Sequence, residues 1–372
     1  MSIQILFPLI ATLFFAMIHY LTYTRVVCHL HIKLQTRIAL KYFLIINMIS
    51  IIGYLSSRYL LSPPKYIYFV LSLSIGVGFI LFMSTILYEL LHLMQRVVPF
   101  NPEKRAFFKR SSDLGFLSLG SAYLGAAVLE GSKDPIVNFV DVKQNRFAGK
   151  SYTIVQISDM HIGGLIDKKF VAASVAAINH LNPDLIAITG DLSDAHISII
   201  QDSVDELRHL KSRFGTYYVV GNHEYFHAID ATVEHVKTLG IHVLENSAVS
   251  INNDFYIAGV NDLFGFRADT YLPDITKAMG NIPPEIPTLL LAHQPKFVEY
   301  LEGFTPSLIL SGHTHGGQIW PFHYLVSLTQ PYLKGLYPLG SNRHIYVNSG
   351  IGFWGPPMRL AAQAEITCIT WS

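Results

Sequence analysis

The chain has 372 residues, 51% of them hydrophobic and only 14% charged, against a charged share of about 25% in ordinary soluble domains. Its net charge of +1 hides two unlike halves: residues 1–150 hold 15 Lys/Arg and 6 Asp/Glu, whereas residues 151–372 hold 12 and 20. This composition excludes a single soluble domain, and an acidic second half with no basic stripe argues against nucleic acid as a partner. The two cysteines, Cys28 and Cys368, fit neither a zinc spacing nor a disulfide framework and read as unpaired thiols.

Three long apolar runs open the chain, at residues 3–24, 38–61 and 66–94. Each reaches the roughly 20 residues that cross a hydrocarbon core. Tyr20, Tyr23, Tyr59, Tyr66 and Tyr68 near their ends suit the membrane interface. Lys41 and Arg58 interrupt the second run, while Glu89 and His92 fall near the end of the third. A fourth run at 114–129 is shorter, about 24 Å as a helix, and either spans the membrane or lies flat on it. The loop 25–37 carries Arg25, Lys33 and Arg37, and the loop 95–113 carries Arg96, Lys104, Arg105, Lys109 and Arg110. With alternating spans both loops lie on one face, which the excess of Lys and Arg makes cytoplasmic. The charge pattern favours a spanning fourth run, which places everything beyond it outside the cytoplasm. Residues 131–150 read as a linker or an entry strand.

From Ser151 the texture changes. Short β-rich runs alternate with helical patterns near 167–181, 198–214 and 231–239, and more strands follow from Ala248. Strands alternating with helices of this length predict an α/β domain over residues 151–372.

Five apolar strands end in chemistry. YTIVQIS runs into Asp159-Met160-His161, DLIAITG into Asp191, and TYYVVG into Asn222-His223-Glu224. TLLLAH closes on His293, and SLILSG on His313-Thr314-His315. The edge beyond the carboxyl ends of parallel strands is where open α/β sheets bind ligands. Carboxylates neutralise a divalent cation, and neutral imidazole suits Mn, Fe and Zn. Two histidines on alternate positions of a tight loop can serve two neighbouring ions, and Gly312, Gly316 and Gly317 let the backbone approach. Asp191 is placed to bridge. Two ions about 3.5–4 Å apart clamp a phosphoryl group for in-line attack. The remaining histidines of this half, such as His180, His209 and His242, have no such context and read as ordinary surface or core residues.

The ordered set DxH, GD, GNH, H and GHxH resembles the calcineurin-like metallophosphoesterase superfamily over Ser151 to about Trp371. Together with the apolar runs, read as an N-terminal transmembrane α-helical region, the resemblance implies an α/β domain of two β-sheets sandwiched between helices. It implies one metal on Asp159, His161, Asp191 and His315, and a second on Asp191, Asn222, His293 and His313. His223 would face the substrate instead of binding metal. LAHQP, GHTHGGQIWP, YLKGLY and RHIYVNSGIGFWGPPMR further resemble the membrane-associated YkuE/YaeI-type branch, whose relatives include phosphodiesterases and a pyrophosphatase of a nucleotide-linked lipid precursor. Many members read GNHD where this chain reads GNHE. The acid after the histidine would orient its imidazole, and Glu224, one methylene longer, departs from that pairing.

The expected activity is hydrolysis of a phosphodiester or pyrophosphate bond by a hydroxide bridging two divalent ions, with Asp191 and His223 as catalytic groups. Membrane lipids and a phosphorylated substrate, such as a lipid-linked one, are the expected partners. The apolar stretch 319–333 (IWPFHYLVSLTQPYL) is either a lipid-facing rim or a buried loop. Arg267 and Arg359 are candidates for substrate contact, with solvated surface positions the blander reading. Alternatives are a protein or soluble-nucleotide phosphatase, and a membrane receptor module that binds metal without turnover.

Overall fold

The structure is a computed structural model that describes residues 3–57, 63–97, 101–147 and 149–372. The tail of the second apolar run, 58–61, with Arg58 and Tyr59, lies outside the described residues, as does the side chain of Arg96. The chain divides into two units, Met1–Ser132 with Gly355–Met358, and Lys133–Trp354 with Arg359–Ser372.

The first unit is helical: α1 (Ile3–Leu21), α2 (Leu34–Ser57), α3 (Lys65–Val97) and α4 (Pro102–Gly131). All four are long and apolar enough to cross a membrane. After α1 the chain keeps winding as a π-helix over Thr22–Val26 and a 3₁₀ turn over Val27–His29. The fourth helix corrects the sequence reading. It is not a marginal 16-residue segment after a basic loop but the second part of a 30-residue helix, about 45 Å long. Lys104, Arg105, Lys109 and Arg110 therefore sit on its first turns. Asn101 starts it, its side chain accepting the Lys104 N–H at 2.9 Å, with Pro102 in the first helical position.

Polar groups inside this unit find one another, as they must in hydrocarbon. His19 Nδ1 donates to the Phe15 carbonyl at 2.7 Å, which leaves Nε2 to accept from Asn47 Nδ2 at 3.0 Å. Asn47 also reaches the Ser74 carbonyl, so α1, α2 and α3 are tied at one level. Buried Asp113 of α4 accepts from the His31 N–H at 2.8 Å and from Tyr88 Oη at 3.2 Å, and it pairs with Lys109 at 3.3 Å. Lys109 reaches back to the His29 carbonyl. The 25–37 segment and the first half of α4 are thus in contact.

The second unit carries two six-stranded sheets. Its strands are β1 (Ile136–Val142), β2 (Tyr152–Ile157), β3 (Leu185–Thr189), β4 (Thr216–Val219), β5 (His242–Val243), β6 (Ser247–Ile251), β7 (Phe255–Gly259), β8 (Thr288–Leu291), β9 (Leu308–Ser311), β10 (Gly335–Gly340), β11 (Arg343–Val347) and β12 (Glu365–Trp371). The first sheet runs β1-β12-β2-β3-β4-β5 and the second β10-β11-β9-β8-β7-β6. Strands β2, β3 and β4 are parallel neighbours, and so are β8 and β9. Residues 136–142, read as linker or entry strand, pair in parallel with the terminal strand.

Strand alternation builds the layers. Ile154, Leu185 and Ala187 of the first sheet meet Leu289, Leu291, Leu308 and Leu310 of the second in a shared core. Their neighbours Val155, Ile157, Ile186 and Ile188 face the other way and pack with α5 (Lys168–His180), α6 (Ile197–Val204) and α7 (Ile229–Thr238). A third cluster, with Leu290 and Ile309, covers the outer face of the second sheet. The helix expected over 198–214 ends at Val204 and gives way to a 3₁₀ turn through His209. The strand β10, GLYPLG, went unread because its glycines and proline are strand breakers. It pairs only along the edge, antiparallel to β11.

Candidate metal centre

The parallel strands of both sheets aim their carboxyl ends at one place. Asp159 and His161 follow β2, Asp191 follows β3, and Asn222 and His223 follow β4 from the first sheet. His293 follows β8, and His313 and His315 follow β9 from the second. The backbone turns sharply at each end. Asp159, His161, Asp191, His313 and His315 all take positive φ, between 49° and 70°, a region costly for residues with a side chain and concentrated at functional sites. Gly312 is required by close approach: a Cβ there would land on the Ser158 hydroxyl and the Asp159 carboxylate.

Two triads of ligand atoms result, Asp159–His161–His315 and Asp191–His293–His313. Asp191 Oδ2 lies 3.2 Å from His293 Nε2 and 3.8 Å from His161 Nε2, so one oxygen stands between the two groups. Asn222 Oδ1 joins the second group, 3.2 Å from His293 Nε2. His161 Nδ1 donates to Asp194 at 2.9 Å, and His293 Nδ1 to the Thr189 carbonyl at 2.7 Å. Those bonds fix the ring orientations and point each Nε2 inward. His161 Nε2 faces His315 Nε2 at 3.0 Å, and His293 Nε2 faces His313 Nδ1 at 3.3 Å. Ring nitrogens that close need a proton or a cation between them. The donor set of carboxylate, imidazole and amide fits divalent ions.

Electrostatics agree. Burial pushes His313 down to about 3, and burial, then His161 and Arg359, holds His315 well below the usual imidazole range. Both rings are therefore neutral and able to ligate. Burial opposes ionisation of Asp191, but the imidazoles of His293 and His223 outweigh it and hold the carboxyl well below its ordinary value. His293 is the converse, lowered by burial yet carried well above its usual value by Asp191. Burial raises Asp159.

The calcineurin-like phosphoesterase family model matches residues 152–317. A metallophosphoesterase of Helicobacter pylori is 35% identical over 340 residues, covering 88% of this chain and 91% of its own. The chain belongs to the calcineurin-like metallophosphoesterases. A zebrafish protein described as a transmembrane protein with metallophosphoesterase domain is 36% identical, over 58% of this chain and 52% of that one. YkuE of Bacillus subtilis is 32% identical, over 59% and 78%.

Three side chains of this metallophosphoesterase take places the sequence did not reveal. Asp194, unremarked in GDLSD, accepts from His223 Nδ1 at 2.6 Å as well as from His161. Its carboxyl lies well below the usual range, because the two imidazoles overcome the effect of burial. It is this acid that orients His223. His161, Asp194 and His223 are close enough to resemble a third ligand group, but direct hydrogen bonds already occupy the facing atoms. Glu224 makes no hydrogen bond to the His223 ring, the pairing its extra methylene put in question, and turns to backbone instead. Fully buried, it accepts the backbone N–H groups of Gly221, Asp191, Leu192 and Ser193 at 2.6–3.1 Å. Its extra methylene lets one carboxylate bind the Asp191 and Asn222 loops together. Glu224→Ala orphans four buried donors and is expected to cost at least about 3 kcal/mol, read as a lower thermal unfolding midpoint, with Glu224→Gln intermediate.

Arg359 is neither solvated nor open to substrate. It is 1% exposed, its guanidinium spent on main-chain carbonyls. A buried cation gives no periodic sign in sequence. Arg267 is exposed. Cys28 is exposed, Cys368 is buried, and both are free.

Proposed function

We propose that the protein is a membrane-anchored, two-metal phosphoesterase that hydrolyses phosphodiester or pyrophosphate bonds of a lipid-linked or cell-envelope substrate. The observation that carries this reading is Asp191 Oδ2 standing between His161 and His293, each backed by its own triad. Asp159, His161 and His315 would hold one ion, Asn222, His293 and His313 the other, with Asp191 shared. When bound, the ions supply an acidified water as nucleophile and offset charge developing on the phosphoryl oxygens. Asp194 accepts the His223 Nδ1 proton at 2.6 Å and so orients the ring; as an imidazolium, His223 would give its Nε2 proton to the leaving oxygen.

A lipid-linked substrate is supported by the four apolar helices and by the stretch 319–333. There Trp320, Tyr324, Leu325 and Leu328 expose large apolar surface, 80% in the case of Leu328, a pattern suited to a membrane interface. Basic residues on the first turns of α4 and the 30-residue length of that helix support a multi-pass topology with the catalytic unit outside the cytoplasm.

The test is hydrolysis by the purified full chain with Mn²⁺ in mixed micelles. Bis(p-nitrophenyl) phosphate, its monoester and a nucleotide-diphospho-lipid are compared. Metal-dependent turnover of the diester and the lipid pyrophosphate above the monoester is expected. Preference for a soluble monoester contradicts the substrate class. Tight metal binding without turnover on any substrate favours a receptor module.

A further inference from the structure

Arg359 lies in a loop far along the chain from every ligand, yet its contacts converge on one half of the centre. Nη2 donates to the carbonyls of Ser349 at 2.9 Å, Gly350 at 3.1 Å and Gly352. Nη1 donates to Ala362 at 2.8 Å. Among the described residues no carboxylate comes within ion-pair distance, and Nε has no partner. A guanidinium buried this way is costly, and carbonyl dipoles alone offset part of that cost, so the position is specialised.

The loop it gathers lies directly on the ligands. Ile351 N–H donates to the Ser158 carbonyl at 2.9 Å, and Gly352 N–H to the Asp159 carbonyl at 3.1 Å. Gly350 has φ +78°, and a Cβ there would lie 2.9 Å from Asp159 Cβ and 3.1 Å from His315 Nδ1. The guanidinium itself stands 3.4 Å from His315 Nδ1. Asp191, Asn222 and His293 make no such contact with Arg359 or with this loop, and His313 is linked to it only through its backbone N–H, which the Asp159 carboxylate accepts at 2.9–3.0 Å.

We propose that Arg359 is a positioning residue chiefly for one ion: by clamping residues 349–352 it sets Asp159 and His315, whereas the ring nitrogens of His293 and His313 take no direct support from it. This rests on the two-ion reading above. Lysine cannot replace it, because an ammonium lacks the planar fork that reaches several carbonyls at once.

The experiment is Mn²⁺ titration of the full chain in detergent, followed by electron paramagnetic resonance. Wild type is expected to take two equivalents and show a spin-coupled pair. Arg359→Lys is expected to keep one equivalent at wild-type affinity and weaken the other by about 10–100-fold, the usual effect of losing a ligand's support. An uncoupled signal then persists until Mn²⁺ is in excess. Gly350→Ala pushes on the same two ligands without removing the arginine, and is expected to give the same split. Equal weakening of both equivalents, no weakening, or loss of fold in both variants overturns the proposal in favour of a general structural role. A wild type that takes one ion defeats the two-ion reading. If Arg359→Lys also leaves that ion unchanged, both fail.

Discussion

Asp191→Asn is expected to lower metal-dependent turnover by more than about 10³-fold, since losing even an indirect support of a ligand costs about 10–100-fold. The substitution is close to isosteric. It keeps an oxygen for the His223 N–H, which Asp191 Oδ1 accepts at 2.8 Å, and removes the charge on the oxygen between His161 and His293. Both ions should weaken together, because Asp191 is the carboxylate the two groups share. Asn222→Ala, by contrast, should weaken one. Elemental analysis after gel filtration reads occupancy and a chromogenic diester reads rate. Full occupancy of one site in Asp191→Asn would show that the shared oxygen is not shared.

His223→Ala should cost about 10²–10⁴-fold in turnover, the range for a lost general acid, with both ions retained. The loss should depend on the leaving group. p-Nitrophenolate departs without a proton, so its diester should suffer least; an alkyl or sugar oxygen needs the proton and should suffer most. Asp194→Asn should follow the same trend at reduced size, because the His223 ring loses the acceptor that orients it at 2.6 Å. It should also loosen the His161 ion, since Asp194 supports that ring too. A leaving-group dependence identical to wild type in His223→Ala would assign the residue to phosphoryl binding instead.

Much of the centre was legible in the sequence because its signal is local. Each apolar run of four to six residues alternates between two cores, and each stops at a glycine or a polar pair that the sheet interior would not tolerate. That pattern singles out Asp159, His161, Asp191, Asn222, His223, His293, His313 and His315, which the structure gathers at one edge. What escaped has no period. Asp194 sits three residues past the strand turn in a coil segment, where an aspartate ordinarily reads as solvated. Arg359 pairs with carbonyls, which every residue carries. Glu224 was noticed, but a sequence cannot say whether a carboxylate turns to a ring or to backbone. In the helical unit the basic cluster KRAFFKRSS hid the start of α4, although Asn101-Pro102 was a helix-start signal in plain view. The strand β10 was obscured by Gly335, Pro338 and Gly340.

The central claim is that two ions act together on one phosphoryl group. It is tested most directly by measuring diester turnover by the metal-free full chain as Mn²⁺ is added in fractions of an equivalent. The account predicts little activity through the first equivalent, a rise across the second, a plateau at two ions per chain, and loss of the plateau in Asp191→Asn. Full activity at one equivalent, or turnover that ignores the metal, would contradict it.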